Sequence, residues 1–443
     1  MKSRLLPRLS APAILLALAL ASTVRGQYVE DSVNVGGAWV GSMAYNPLMD
    51  VVYGRCYSAN RFFAIDCATN QVVSTSTIDA PMYMNYDSID HKLYLPFGSD
   101  EESLAVFDGR THQRIKTIPL ARANQCVWDG MRDRLYVSCP ERNVVAVFDC
   151  TQDSLICEIP VGNYPLKMYL NGRHRKLYVL NYDEGSVSVI NTVNNQTITV
   201  IPTGGYAISG HYSTTADKFY CGAAQKVVVI DGALDCVVAE IPAPERGATH
   251  ALMENPDAGI VLAATVGDTC SHIWSIATGP DTILNDLWSP SNPECILWSP
   301  HSRQFYVACY RPVVAVVNSD GSELTVEVPV QSSPFSLALS PQQHRLFVGH
   351  LNSPFVYVIR DEVGGIAEGG GTRLPRGAAT VVRGSLVLTS AFCNLTSDFV
   401  LLDVSGRRVL DLSPGPNYVS HLSPGVYFVA TTEGVTGRVV KVR

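Results

Sequence analysis

The sequence predicts an all-β protein built as a β-propeller, with eight blades favoured and seven as the alternative, followed by a small C-terminal β-sandwich. A pair formed by a large hydrophobic residue and a tyrosine recurs at a nearly constant interval through most of the chain. Between the copies, short stretches of alternating apolar residues are separated by turn residues, which is typical of strands. Residues 27–443 show no convincing amphipathic helical pattern.

The repeat has eight copies, spaced by 41 to 45 residues. The pairs that define it are Val52-Tyr53, Leu93-Tyr94, Leu135-Tyr136, Leu177-Tyr178, Phe219-Tyr220, Ile260-Val261, Phe305-Tyr306 and Leu346-Phe347. Each copy predicts four short strands, and four strands in about 40–45 residues is the size of a propeller blade. One such sheet cannot bury both of its faces alone, whereas blades stacked around an axis cover one another.

The two ends of the repeat region indicate how the ring closes. Residues 27–40 predict an edge strand followed by the first strand of the next unit, and the eighth unit ends after 356–361. We therefore expect the N-terminal strand to complete the last blade, which would cover an exposed sheet edge. The unit at 250–288 diverges most from the others, and a ring without it would have seven blades.

The third strand of most copies ends in Asp or Asn. Such residues at a hairpin corner usually hydrogen-bond their own backbone, so we interpret them as turn residues rather than as a set of catalytic carboxylates. They are Asp66, Asp108, Asp149, Asn191, Asp231, Asn318 and Asp361.

The pattern L-Y-V, followed by V-x-V-I-[DN] and then I-P-x-G, resembles the YVTN-type β-propeller repeats of exported bacterial and archaeal proteins over residues 28–362. This resemblance implies the propeller fold over 27–363. It implies little about function, because propellers of this kind serve many roles.

The first 26 residues predict a signal peptide. Lys2, Arg4 and Arg8 precede an apolar run over 11–21, and small residues follow it. The run is shorter than the roughly 20 residues that a membrane helix needs. We therefore expect an exported protein, extracellular or on the outer-membrane surface. The formal net charge of −7 argues against a nucleic-acid partner, which would require a basic surface.

Twelve cysteines in an exported chain raise the question of disulfides. Cys56 and Cys67 occupy the same repeat positions as Cys139 and Cys150, at predicted strand ends that are too far apart for a disulfide. We interpret most of the cysteines as small buried hydrophobic residues.

The repeat stops at a Gly-rich stretch, which predicts a linker over 364–373 and a β-sandwich over 374–443. The segments LDVSGR, LSPGVY and GRVVKV resemble the C-terminal sorting domain of type IX secretion cargo, although the Asn-Pro signature that often opens this family is absent. The resemblance implies recognition by export and surface-attachment machinery. The matching motif positions are Asp403, Gly406, Arg407, Pro424, Gly425 and Tyr427.

Candidate ligand-binding residues lie on one face of the predicted propeller, formed by the loops that join blades and by those between each second and third strand. They are Tyr57, Arg61, Arg122, Asn124, Tyr182, Asp183, Arg246, His250, Arg311 and His350. Arginine can hold a carboxylate or phosphate through two parallel hydrogen bonds. The chain contains no G-x-S-x-G or H-E-x-x-H motif, so no catalytic residue or metal ligand is assigned.

Two functions stay open at this point. The favoured one is a secreted or cell-surface binding scaffold, monomeric and without a predicted cofactor, for a protein, glycan or small ligand. The alternative is an enzyme of the lactonase or lyase type with an axial divalent metal such as calcium. Several acidic side chains converging on the axis would favour the enzyme. A channel plugged by Met84, Trp128 and Met168 would favour the binder.

Overall fold

The computed structural model describes residues 27–78, 83–97 and 103–362, and in the C-terminal part 379–382, 385–388, 399–403, 407–412, 415–419, 422–431 and 434–441. Apart from a single 3-10 turn at Pro140–Arg142, the regular elements of these segments are strands. None of them contains a helix long and apolar enough to cross a membrane. The predicted signal peptide, the predicted linker and Gly406 lie outside the described residues.

Eight four-stranded antiparallel sheets form the ring, which confirms the eight-blade prediction. We number the blades from the one that begins at Val40, and the divergent 250–288 unit is a complete sixth blade. The first strand of each blade is innermost, and the first strands of neighbouring blades contact one another around the whole ring. These strands are β2 (Val40–Asn46), β6 (Asn85–Asp87), β10 (Cys126–Asp129), β14 (Pro165–Asn171), β18 (Ser209–Ser213), β22 (Gly247–Asn255), β26 (Pro293–Ser299) and β30 (Pro334–Ser340).

The second and third strands form the buried centre of each blade, because both of their faces are covered by the neighbouring blades. The second strands are β3 (Val51–Cys56), β7 (Lys92–Pro96), β11 (Arg134–Cys139), β15 (Lys176–Asn181), β19 (Lys218–Ala223), β23 (Ile260–Gly267), β27 (Gln304–Cys309) and β31 (Arg345–His350). The third strands are β4 (Arg61–Asp66), β8 (Ser103–Asp108), β12 (Val144–Asp149), β16 (Ser186–Asn191), β20 (Lys226–Asp231), β24 (Ser271–Ala277), β28 (Val313–Val317) and β32 (Phe355–Arg360).

The fourth strands lie on the outside and alternate between exposed and half-buried residues. They are β5 (Gln71–Thr77), β9 (Arg114–Pro119), β13 (Ser154–Pro160), β17 (Gln196–Pro202), β21 (Val237–Pro242), β25 (Thr282–Trp288), β29 (Leu324–Pro329) and β1 (Tyr28–Asn34). In blade 8 this strand comes from the other end of the chain: β1 pairs antiparallel with β32, with Val33 opposite Val356. The predicted ring closure is thus confirmed.

The hydrophobic core is divided among the spaces between blades. The ring of Tyr178 in blade 4, for example, stacks on Phe219 in blade 5 with centroids 4.3 Å apart. Since the two faces of a blade serve two different neighbours, alternate residues of β15 and β16 point into different parts of this core. Seven of the eleven described cysteines are buried in it, and all eleven are free thiols.

In five blades the repeat tyrosine donates a hydrogen bond to the outer turn of the next blade, whereas blades 6 and 8 carry Val261 and Phe347 in its place. The Tyr94 hydroxyl donates to Asp153 Oδ1 at 2.8 Å, and Asp153 lies in the turn between the third and fourth strands of blade 3. The basic residue two positions before the tyrosine reaches the same turn, with Lys92 Nζ 3.0 Å from that oxygen. Burial raises the pKa of the Tyr94 hydroxyl, so it stays protonated as a donor. Equivalent contacts join Tyr136 and Arg134 to Asn195, Lys176 to Asp235, and Tyr220 and Lys218 to Asp281.

The Asp and Asn residues that end the third strands behave as the sequence predicts in most blades. Asp108 Oδ1, for example, accepts the backbone N–H groups of Arg110 and Thr111 at 2.8 and 2.7 Å. Asp361 differs, because it is buried and accepts the Tyr306 hydroxyl at 2.6 Å. In the last blade, therefore, the corner carboxylate itself links the sheet to its neighbour.

The C-terminal strands form two sheets. A five-stranded sheet has the order β33, β39, β38, β35, β36, and β34 pairs with β37. Their bounds are β33 (Ala379–Val382), β34 (Ser385–Leu388), β35 (Phe399–Leu402), β36 (Arg408–Leu412), β37 (Gly415–Tyr418), β38 (Gly425–Thr431) and β39 (Gly434–Lys441). Two of the motif positions close the turn between β35 and β36, where Arg407 Nε donates to Asp403 Oδ2 at 3.2 Å. Tyr427 donates to the carbonyl of Ser423 at 2.8 Å.

We predict that Tyr220→Phe lowers the free energy of unfolding by about 2 kcal/mol. The variant keeps the buried ring but removes the hydroxyl that donates to Asp281 Oδ1 at 2.9 Å, and a hydrogen bond to a charged group contributes about 1.5–3 kcal/mol. Urea denaturation of the two proteins measures the difference. Tyr206→Phe, at an exposed tyrosine, is the control and should match the wild type. Equal stability of Tyr220→Phe and the wild type would contradict the linking role.

Candidate functional site

One end of the ring carries both the loops that join blades and the loops between second and third strands, and we call this end the loop face. The ten predicted binding residues differ in how far they are exposed there. Arg122, Asp183, Arg246 and Arg311 are exposed, whereas Tyr57, Arg61, Asn124, Tyr182 and His250 are half-buried and His350 is buried.

The predicted arginines are distributed over several blades. Arg122 forms an ion pair with Glu141 at 3.2 Å, and both side chains are largely exposed, so this pair contributes little to stability. Arg61 lies against the turn at Gly36, where an added Cβ would fall 2.2 Å from its Nη1 atom. Arg246 and Arg311 come from loops of other blades, so the sequence identified a surface rather than a single anion-binding cluster.

Exposed aromatic residues concentrate on the loop face. Six aromatic side chains of the described residues are exposed, and five of them belong to this face: Trp39, Tyr164, Tyr206, Trp288 and Tyr310. The sixth, Tyr28, begins β1 at the opposite end of the ring. Tyrosine and tryptophan are the residues most enriched in binding interfaces, so this asymmetry indicates which end binds.

Several of these rings are held by stacking. The rings of Trp39 and Tyr57 stack with centroids 4.6 Å apart, and the Arg55 guanidinium carbon lies 3.5 Å from the centroid of Tyr57. Tyr182 stacks on Tyr206 at 4.9 Å. Rigid aromatic groups lose little conformational entropy on binding, which makes such a surface favourable for recognition.

Tyr182 also connects two successive blades. Its backbone N–H donates to the carbonyl of Tyr164 at 3.0 Å, and its ring lies 6.4 Å from that of Tyr164. Tyr164, Tyr182 and Tyr206 thus form a continuous aromatic group over the loops around blade 4.

A recurrent irregularity occurs in the innermost strands. The pairing of first and second strands shifts register in five blades, between Val40 and Met43, Pro165 and Met168, Thr249 and Ala251, Pro293 and Cys295, and Pro334 and Ser336. Bulges of this kind re-aim side chains. Lys167, His250 and Glu294 all lie within these shifts.

The charge of Lys167 is influenced by groups of a non-adjacent blade. Burial lowers the pKa of its amino group, and Cys295 and Glu294 oppose this shift. Because Lys167 belongs to blade 4 and Glu294 to blade 7, these groups influence one another across the axis. His250 Nδ1 lies 3.6 Å from Glu294 Oε2. Within the described chain, no hydrogen bond or ion pair reaches the Lys167 amine.

The sequence missed Lys167, although a usable signal was present, because none of the other seven first strands contains a lysine or an arginine. Met84 and Met168 do not plug the channel, because both are buried in the cores between blades. Trp128 is half-buried and donates to Asp133 Oδ1 at 3.2 Å.

Two groups among the described side chains have the donor types and spacing to hold a metal, and both lie away from the axis. One consists of Glu245, Cys270 and His272 on the loop face of blade 6. The other consists of Asp87, Asp133 and Cys150 at the opposite end of blades 2 and 3. In the second group Asp87 Oδ1 accepts the backbone N–H groups of Ile89 and Asp90, whereas Oδ2 is buried without a hydrogen-bond partner.

Sequence reasoning did not identify the blade 6 group. Its members come from two loops and a strand, and the signal that could have found it is the C-S-H triplet inside the most divergent unit. The distances are 3.2 Å from Cys270 Sγ to His272 Nε2 and 3.4 Å from that nitrogen to Glu245 Oε2.

The fold has many solved counterparts. Sqt1 from Saccharomyces cerevisiae superposes with a TM-score of 0.66 at 9% identity, over 75% of this chain and 99% of the other. The dihydro-heme d1 dehydrogenase NirN, in complex with DHE, gives 0.59 at 15% identity over 67% of each chain. A chain of the mitotic checkpoint complex gives 0.54 at 11% identity, over 82% of this chain and 100% of the other. At such identities the likeness shows the propeller fold alone.

No protein-family model matches the sequence, and no curated protein matches it. Function must therefore be inferred from the residues of the site.

His350 lies in the interior of blade 8. Its Nδ1–H group donates to the carbonyl of Ser332 at 2.9 Å, and its ring meets Tyr357 edge to face at 4.8 Å. The side chain is fully buried, and burial lowers its pKa to about 4.

We predict that this histidine makes the fold less stable in acid. An unfolded chain protonates His350 near pH 6.5 and the folded chain only near pH 4, so stability present above pH 6.5 is lost as the pH falls between these values, by up to about 3 kcal/mol. Urea denaturation from pH 7 to pH 4 measures the slope, which should be smaller in His350→Gln. Identical slopes for the two proteins would contradict the prediction.

Proposed function

We propose that this protein is an exported binding scaffold whose loop face receives a protein partner. The observation that carries the proposal is the concentration of exposed aromatic residues on that face, five of six in the described chain. Trp and Tyr give large contact areas and dominate the energetics of many interfaces.

The spread of the aromatic groups favours a macromolecular partner over a small ligand. Trp39 lies where blade 8 meets blade 1, the group of Tyr164, Tyr182 and Tyr206 lies around blade 4, and Tyr310 lies in blade 7. A partner that contacts all of them must extend across the ring. One of the structural counterparts is a chain of the mitotic checkpoint complex, which is a protein assembly. This analogy of fold supports a protein partner.

Lys167 supplies the chemistry expected at the centre of the interface. Its amine lies in a site where burial disfavours the charge, and no described side chain pairs with it. An acidic side chain of the partner, placed on the axis, would restore the charged form and gain a charge-assisted hydrogen bond. The proposed partner therefore combines an acidic group at its centre with hydrophobic contacts at its periphery.

Export and attachment form the second part of the proposal. Support comes from the signal-peptide pattern and from the resemblance of the tail to the sorting domain of type IX secretion cargo. The motif residues Asp403 and Arg407 hold one turn of the C-terminal sheet, where an export machinery could recognise it.

Site-specific photo-crosslinking on intact producing cells tests the partner. A photoreactive residue at Tyr206 or Tyr310 is expected to give a discrete protein adduct, and one at Met131 or Leu234, which are equally exposed at the opposite end, is expected to give none. Lys167→Met should reduce the adduct yield at Tyr206 several-fold, because the buried charge at the centre is lost. Adducts of equal yield from both ends, or none from the loop face, would contradict the proposal.

Fusing residues 374–443 to an exported reporter tests the tail in a host with type IX secretion. We expect the reporter to reach the cell surface or the medium and Arg407→Ala to retain it inside the cell. Arg408→Ala is the matched control, because Arg408 pairs with Asp411 outside the motif and should not change the distribution. Equal retention of both variants, or surface delivery of neither the wild type nor the control, would contradict a sorting role.

A further inference from the structure

Three side chains of different chemistry meet on the loop face of blade 6. Glu245 comes from the loop that joins blades 5 and 6, Cys270 from the loop between β23 and β24, and His272 from β24 itself. One ligand atom of each, a carboxylate oxygen, Sγ and Nε2, lies within 4.8 Å of the other two. A thiolate, an imidazole and a carboxylate are together the ligands that zinc prefers.

Neighbouring groups orient two of these ligands. Asp286 Oδ1, on the adjacent strand β25, lies 2.7 Å from His272 Nδ1 and accepts its hydrogen, which leaves the lone pair of Nε2 directed at Cys270 and Glu245. A carboxylate behind the histidine is the usual second layer of a zinc site. The backbone N–H of Thr269 donates to Glu245 Oε1 at 3.2 Å and so leaves Oε2 facing the cluster.

The same side chains also suit a catalytic site with a thiol nucleophile. In such a site Cys270 would be the nucleophile, His272 the base and Asp286 the carboxylate that orients the histidine. The position of Glu245 argues against that function. The Cys270 thiol donates to Glu245 Oε2, so a thiolate formed there would stand against a carboxylate. Activated cysteines lie instead beside positive groups. A divalent cation would offset both negative charges at once.

We propose that Glu245, Cys270 and His272 bind one divalent transition-metal ion of the zinc type. Three protein ligands leave a fourth tetrahedral position open. Glu245 and Cys270 are only half-buried, so that position faces the loop side of the molecule, beside the exposed ring of Trp288, which lies 5.7 Å from the His272 ring. Water or a side chain of a bound partner can occupy it. Its ligands are distinct from Lys167, although the site shares the loop face and Trp288 with the interface proposed above.

Cobalt titration of the chelator-treated, reduced full-length protein tests the proposal. Co²⁺ bound by a cysteine gives a thiolate-to-metal charge-transfer band in the near ultraviolet and the visible bands of a tetrahedral ion. We expect both at one Co²⁺ per chain, with displacement by Zn²⁺. Cys270→Ser should abolish the charge-transfer band, and Asp286→Asn should weaken Co²⁺ binding by about 10–100-fold.

Cys236→Ser provides the control, because Cys236 is an exposed thiol in blade 5 outside the cluster. It should leave the spectrum and the affinity unchanged, and circular dichroism should show that the metal-free variants are folded. Absence of the charge-transfer band in the wild type would overturn the proposal. A band lost equally in Cys236→Ser, or alkylation of Cys270 by iodoacetamide much faster than that of Cys236 in metal-free protein, would overturn it as well.

Discussion

The hydrogen bond from the repeat tyrosine of one blade to the outer turn of the next, present in five of the eight blades, sets the register of most of the ring. Hydrophobic packing between blades tolerates sliding, but a buried hydroxyl fixed at 2.8–2.9 Å from a carboxylate, as at Tyr94 and Tyr220, allows only one register. The basic residue that accompanies the tyrosine neutralises the same carboxylate. The hydrophobic-Tyr pair therefore recurs because, in the blades that keep this hydrogen bond, it sets the position of the following sheet.

The residues on which our functional proposals depend occur where the copies differ from the common repeat. Residues that occur once in the repeat include Lys167 in a bulge of the first strand of blade 4, Cys270 in a loop of blade 6 and His272 at the start of the third strand of that blade. Blade 6 also lacks the tyrosine, with Val261 in its place, and contacts blade 7 through Asn255, which donates to the carbonyl of Ser319 at 2.7 Å. The blade that departs most from the common pattern is the one that holds a cluster of metal-binding donors.

The sequence predicted the architecture well because a period of 41 to 45 residues and a two-residue alternation are local signals. It predicted the loop face as the candidate binding surface, but it did not identify Lys167 or the cluster of Glu245, Cys270 and His272. His350 stands at the end of a strand, and only the packing of Ser332 and Tyr357 around it shows that it is buried. Glu245 and Cys270 are 25 residues apart and meet because β22 pairs with β23. Lys167 and Glu294 lie three blades apart, so their mutual influence follows from ring closure, which no local pattern encodes.

Closure of the ring by β1 also affects the order in which the sheets form during folding. Tyr28 pairs with Arg360, so the last sheet joins residues separated by almost the whole length of the ring. The entropy of closing so long a loop must be overcome before those hydrogen bonds form, which places the final sheet late in folding. Until then the edge of β32 stays unpaired, so a nascent chain cannot settle into the finished ring before β1 and β32 are both available to pair.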